Sequence, residues 1–307
     1  MSFSSFLNTE NTVILVCVAL LPAIALCLYV FKKDKVDKEP WGLLLLLLGL
    51  GAVSCFPAGA LEGFIEGILC NVFKPFYSYN AAGEMIFHTT LHLNIYLAIM
   101  SFFEVALVEE GFKILILILV TRKNKNFNSL FDGLIYAIFV SLGFAALENV
   151  MYVLNNGMSV AILRAVLSVP GHMFFAVIMG YYYSLYHMYS KAGQYEKSFK
   201  ERGLISADVK EYSGTKFLIL ALVVPVVIHG LYDFCCFNGS YVMMGVMIAL
   251  MIFLYIYCFG KIRKMSKIDA KDSAYLRMLL ESKHPGIIEA LREERNANLA
   301  KAAETQE

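Results

Sequence analysis

Seven apolar runs dictate what this chain can fold into. They cover 12–31, 41–60, 94–120, 131–153, 159–189, 217–236 and 241–260, each near the ~20 residues needed to cross a hydrocarbon core. No water serves backbone polar groups there, so every run must be helical. The expected fold is an all-α polytopic membrane helix bundle. Composition agrees: 59% of the 307 residues are hydrophobic and 17% are charged, which is little charge for a soluble domain. The seven cysteines form no CxxC pair and lie in or beside apolar segments, so they read as packing residues. A formal net charge of +1 implies no bulk charged partner. No basic–aromatic patch suggests nucleic acid, and the partner that composition does imply is the lipid bilayer.

Lysine and arginine bias gives the orientation. Loop 32–39 carries four, loop 121–130 carries Arg122, Lys123 and Lys125, and segment 190–216 carries six. The opposite side has Lys74, in the long stretch 61–93. The N-terminus is therefore expected outside and the C-terminus inside. Positive charge follows the first run instead of preceding it, so that run is expected to be a retained span and not a cleaved signal. Stretch 61–93 is too interrupted to span again, and is expected at the interface as a candidate lid. The tail 261–307 is charged and alanine-rich, and is expected as a cytosolic helix or two, broken at Pro285.

Ionisable residues inside membrane helices are costly and face protein or water. The third run carries Glu104, Glu109, Glu110 and Lys113, the fourth Glu148, the fifth Arg164 and His172, and the sixth His229 and Asp233. Glu109 and Lys113 are i,i+4 and share a face, as do His229 and Asp233. Glu110 is rotated about 100° from Glu109. At ~1.5 Å per residue, both glutamates, His172 and His229 can sit within a turn or two of one level. A lone buried Glu–Lys pair or a lone core histidine needs no function. Glu104 reads as facing the outer vestibule, Glu148 and Arg164 as a pair, and Asp132 as a helix N-terminal charge. His88, His92 and His187 lie near the expected interfaces. Two Glu and two His at one depth are harder to explain by packing alone.

Such a set in a dry cavity suits hydrolysis, with a carboxylate taking a proton from water and an imidazole positioning that water or stabilising an oxyanion. The same residue types can hold zinc with one position open for water. No HExxH is present. No Ser or Cys stands beside a His with a third orienting group, which disfavours a covalent nucleophile.

Five segments in order carry a resemblance: "EEGFK" (109–113), "FDGLIY" (131–136), "GFAALEN" (143–149), "RAVLSVPGHMFFAVIMG" (164–180) and "HGLYD" (229–233). On separate helices, these resemble the PrsW family of intramembrane proteases, itself distantly similar to type II CAAX prenyl endopeptidases and bacterial CPBP proteins. The similarity covers about 105–235. It implies an endopeptidase of the bacterial cytoplasmic membrane that cuts a membrane-tethered protein. In the family's namesake role the substrate is a single-span anti-sigma factor, cut on its outer side as the first step of an envelope-stress response. By motif, Glu109 and Glu110 carry the catalytic carboxylates, His172 and His229 are the imidazoles, and Asp233 orients. Lys113, Glu148, Asn149 and Arg164 support them. A zinc, if present, falls to Glu110, His172 and His229, and a metal-free glutamate-activated water is the alternative.

The expected organisation is a membrane-embedded protease domain over 1–260 and a charged tail over 261–307. Two other classes also bury Glu, His and Asp: a proton-coupled transporter or channel, and a catalytically silent membrane scaffold. The repeated halves and broken helices of transporters are not visible in the sequence, and the intact motif residues argue against a silent scaffold. The charge asymmetry makes a direct prediction. Single cysteines placed in 61–93, in a cysteine-free background, should react with an impermeant thiol reagent from outside. Those placed in 195–212 should react only after permeabilisation. The reverse pattern overturns the orientation.

Overall fold

A computed structural model describes residues 3–35, 38–268 and 272–304. Its helices are α1 (Phe3–Phe31), α2 (Trp41–Val53), α3 (Cys55–Phe73), α4 (Thr90–Ile99), α5 (Leu107–Thr121), α6 (Leu130–Asn156), α7 (Met158–Val166), α8 (Ser168–Glu201), α9 (Thr215–Asn238), α10 (Tyr241–Ile268), α11 (Asp272–Lys283) and α12 (Ile287–Glu304). A π-helical segment, Met100–Ala106, joins α4 to α5. Two short strands, β1 (Tyr77–Tyr79) and β2 (Met85–Phe87), form an antiparallel hairpin. The chain is an all-α membrane bundle, with large apolar side chains such as Leu21, Phe56, Phe64, Leu119 and Ile162 exposed for lipid.

Six helical runs are long and apolar enough to cross a membrane: Thr12–Phe31, Trp41–Phe76, Leu130–Asn156, Met158–Glu201, Thr215–Asn238 and Tyr241–Lys267. The run expected as the third span is continuous helical backbone over 90–121, but with its four ionisable residues it is not among those six. It starts at Thr90 and not at residue 94, because the Thr89 side chain caps it by accepting from the His92 N–H at 3.1 Å. Stretch 61–93 is not wholly interfacial, since α3 carries helix on to Phe73 and the hairpin comes after it. Rings tie that hairpin to α3 and α4: Phe87 packs on Phe73 and Tyr96 with centroids 6.5 and 5.1 Å away. The expected fifth span is broken at Leu167 and runs twelve residues past its expected end, to Glu201. The tail is two helices parted by Pro285 and Gly286, whose φ of +85° suits a residue without a Cβ. They pack Leu276, Leu279 and Leu280 on Met188, Ala192 and Phe199 of α8.

At the centre stands α6, packed by α1, α2, α5, α7 and α8. Asp132 starts it as expected, accepting from the Asn128 and Ser129 N–H groups at 2.7 Å each. Glycine lets neighbours come close where no hydrophobic force drives helices together in lipid. A Cβ on Gly51 of α2 would lie 2.0 Å from the Val140 carbonyl oxygen, and one on Gly143 of α6 would lie 2.0 Å from that of Leu48. Gly230 of α9 meets Phe102 of the π segment in the same way, at 2.5 Å. Of the seven cysteines, Cys27, Cys55, Cys235 and Cys258 are buried packing residues, whereas Cys17 and Cys236 are exposed. Overpacking a tight contact costs about 1–3 kcal/mol. Gly143→Ala should therefore lower the melting temperature in detergent. Gly49→Ala, whose new Cβ meets nothing within 4 Å, should not. Equal melting temperatures would contradict this account of the α2–α6 contact.

Candidate active site

Two breaks in helical regularity shape the site. The π segment immediately precedes the two glutamates of α5, where extra backbone rotation re-aims the side chains of the next turn. Pro170 in the first turn of α8 has no N–H to offer the Val166 carbonyl, and the Tyr255 hydroxyl of α10 donates to that oxygen at 2.7 Å. Just beyond, Ser141 of α6 donates to the His172 carbonyl at 2.8 Å. Broken backbone in a membrane is tolerated where other groups satisfy it, and both of these contacts bracket His172.

The Lys113 ammonium is the hub. Its Nζ lies 3.0 Å from Glu109 Oε2, 2.7 Å from Glu110 Oε1 and 3.0 Å from His172 Nδ1. It also sits 4.4 Å from the centroid of the Phe144 ring, a cation–π contact. Lysine offers three donors and no acceptor, so three acceptors use it completely. His172 Nδ1 must then be the unprotonated nitrogen, and Nε2–H donates to Glu148 Oε2 at 2.9 Å. Arg164 pairs with Glu148 at 2.8 Å, as the sequence suggests, and donates to Asn149 Oδ1 at 3.0 Å. Asn149 in turn donates to the Ala19 carbonyl at 2.7 Å, fixing this layer to α1.

On the far side, His229 Nδ1 lies 3.0 Å from Glu110 Oε1. Its ring stacks on Phe175, with centroids 4.6 Å apart. Nε2 lies 3.2 Å from Asp233 Oδ2 without the alignment of a hydrogen bond. Glu109, Glu110, His172, His229 and Asp233 are thus brought together, with Lys113, Glu148, Asn149 and Arg164 around them. Glu104 is the exception. It is buried, does not line the cavity, and its Oε2 has no hydrogen-bond partner.

A cavity of about 780 Å³ opens on this network. Glu109, Glu148, Arg164, His172, His229 and Asp233 line it, and Glu110 and Lys113 do not. Glu110 and Lys113 have no exposed surface, whereas Glu109 retains 5%. The two adjacent glutamates are therefore unlike: one faces the cavity, and the other is sealed behind it between Lys113 and His229. No hairpin residue lines the cavity, so its geometry lends nothing to a lid there. Sequence reasoning missed Ser141 and Phe144, which share a face with Glu148 by i, i+3, i+7 spacing. It also missed Glu62, which lines the cavity from α3.

Glu109, Glu110 and His172 offer two carboxylate oxygens and a ring nitrogen, all within 4.8 Å of one another. The donor types suit zinc. Glu109 stands in this set where the sequence suggests His229, which lies one contact further on. The Lys113 ammonium already bonds all three residues, so this arrangement does not fit a divalent ion unless the lysine withdraws.

The fold and site together define a membrane-embedded protein with a buried acid–base network. Residues 39–258 match the model of the PrsW family intramembrane metalloprotease. Proteins named Protease PrsW are similar across most of the chain. That of Clostridioides difficile (strain 630) is 33% identical over 70% of this chain and 76% of its own length. That of Bacillus subtilis (strain 168) is 30% identical over 83% and 97%, and that of Halalkalibacterium halodurans 29% over 83% and 98%. No solved structure matches. The chain belongs to the PrsW family, and is an intramembrane protease, integral to a bacterial membrane.

Proposed function

We propose that this protease cuts a membrane-tethered protein by a water that Glu109 activates. The observation that carries this is the pairing of Glu109 with the cavity while Glu110 is sealed away. Glu109 Oε2 accepts from the Lys113 ammonium at 3.0 Å, which fixes the carboxylate at the cavity wall. The water loses a proton to Glu109, and its oxygen bonds to the scissile carbonyl carbon. His229 donates Nδ1–H to Glu110, so it offers a second donor only as an imidazolium; in that form its Nε2–H, beside Asp233, stabilises the oxyanion. Glu110 orients that ring through Nδ1, a task that the motif reading gives to Asp233. The proton then passes from Glu109 to the amine nitrogen as the C–N bond breaks.

His172 has both nitrogens engaged, and so acts as a rigid link between Lys113 and Glu148. No step here needs a metal: Lys113 supplies the central positive charge. Peptide must enter extended, since a helix hides its carbonyls. A single-span anti-sigma factor, cut on its outer side in envelope-stress signalling, is the substrate class that the family resemblance favours. The outside N-terminus would then place the cavity's entrance on the outer half of the membrane.

Glutamine keeps the size of glutamate and removes its basicity. With a single-span reporter in proteoliposomes, Glu109→Gln should lower turnover by about 10²–10⁴-fold while the variant stays folded. Glu110→Gln should lose less, because it disturbs only the aim of His229. Wild-type turnover in Glu109→Gln rules out the assigned base.

A further inference from the structure

Four carboxylates line the cavity: Glu62, Glu109, Glu148 and Asp233. Three have a cation or an imidazole within reach. Glu109 has Lys113 at 3.0 Å, Glu148 has Arg164 at 2.8 Å, and Asp233 has His229 at 3.2 Å. Glu62 has none among the described residues, and its Oε1 is buried with no hydrogen bond. The charged groups that act on it include the acidic Glu109, Glu148 and Glu104, and Lys113, whose three donors are already used. Glu62 is half-buried, but a buried carboxylate oxygen without a donor is costly, so a group that supplies the missing donor is favoured there.

The wall beside Glu62 is open. Cys55, Gly59 and Glu62 line the cavity from one face of α3, at i, i+4 and i+7. Gly59 is exposed and a Cβ there would meet no atom within 4 Å, so no side chain obstructs the cavity wall one turn before the carboxylate. That shape suits a long unbranched arm with a charge at its end. The cation that lines the cavity, Arg164, is committed to Glu148 and Asn149, so an acidic side chain finds no free partner.

We infer that Glu62 is a specificity residue, and that it receives a lysine or arginine side chain of the substrate near the scissile bond. The arm lies along Gly59 and the charge meets the carboxylate. This rests on the protease reading above, and adds to it the chemistry of the segment that is cut. The motif segments all begin after it in the chain: Glu62 lies in a stretch whose carboxylates look, from sequence alone, like interfacial decoration.

The test uses the full chain reconstituted in liposomes. The substrates are single-span model proteins with a Leu/Ala membrane segment, in which Lys, Gln or Glu is scanned through the residues flanking the cleavage point. Wild type should cleave a Lys substrate at one position with kcat/KM at least about tenfold above its Gln counterpart. In Glu62→Gln that ratio should fall to about one, and in Glu62→Lys the preference should turn to the Glu substrate. A second arm measures binding of the same segments to the Glu109→Gln variant, with and without Glu62→Gln. The Lys segment should bind more tightly only when Glu62 is present. A Lys/Gln ratio that survives Glu62→Gln in either arm overturns the inference, as does the absence of a basic preference at every scanned position. If wild type cleaves no substrate, the protease reading fails, and the binding arm still decides the role of Glu62.

Discussion

One fully buried ammonium organises this protein. Lys113 has three N–H donors, and Glu109, Glu110 and His172 accept all three. Two carboxylates on adjacent residues would otherwise repel and share a proton. Lysine on the same helix, at i+4 from one and i+3 from the other, settles both and leaves each in a different setting. Removing one partner of a buried ion pair costs about 3–5 kcal/mol because the remaining charge is stranded. The motif therefore carries a structural constraint as well as a chemical one.

The rest of the bundle can be read outward from that nitrogen. His172 passes the constraint to Glu148, Arg164 and Asn149, and so from α8 through α6 and α7 to α1. Glu110 passes it to His229 on α9. Each link is short and directional, so the helices must be held at fixed separations. The glycine contacts at Gly51, Gly143 and Gly230 supply that. Irregular backbone does the aiming: the π segment before Glu109, and the Pro170 break before His172 with Tyr255 covering the freed carbonyl.

Much of this is legible in the sequence, for physical reasons. Hydropathy over ~20 residues reports burial in lipid directly, so helix positions emerge within a turn or so at most ends. Helical periodicity relates Glu109 to Lys113 and His229 to Asp233, and depth arithmetic aligns the two histidines with the glutamates. What periodicity cannot supply is direction across helices. It cannot tell that Glu110 turns toward His229 while Glu109 meets the cavity, or that α3 keeps its helix through Glu62 and aims it inward. The break at Leu167 is also hidden, because an apolar run reads as one span whether or not a proline three residues later parts it. Asp233 is the instructive case. Its i,i+4 spacing to His229 suggests an orienter, yet Glu110, 119 residues away in sequence, holds the ring's other nitrogen.

In the proposed mechanism the Lys113 ammonium stands where a metal would otherwise sit. The family is described as metalloproteases, and Glu109, Glu110 and His172 are of types that bind zinc, so the claim meets a clear alternative. Metal content and single-turnover cleavage, measured on the same purified sample before and after a strong chelator, decide between them. The account predicts far less than one equivalent of divalent metal, and cleavage that chelation leaves unchanged. One equivalent of zinc that leaves together with activity, and restores it on return, would contradict the account.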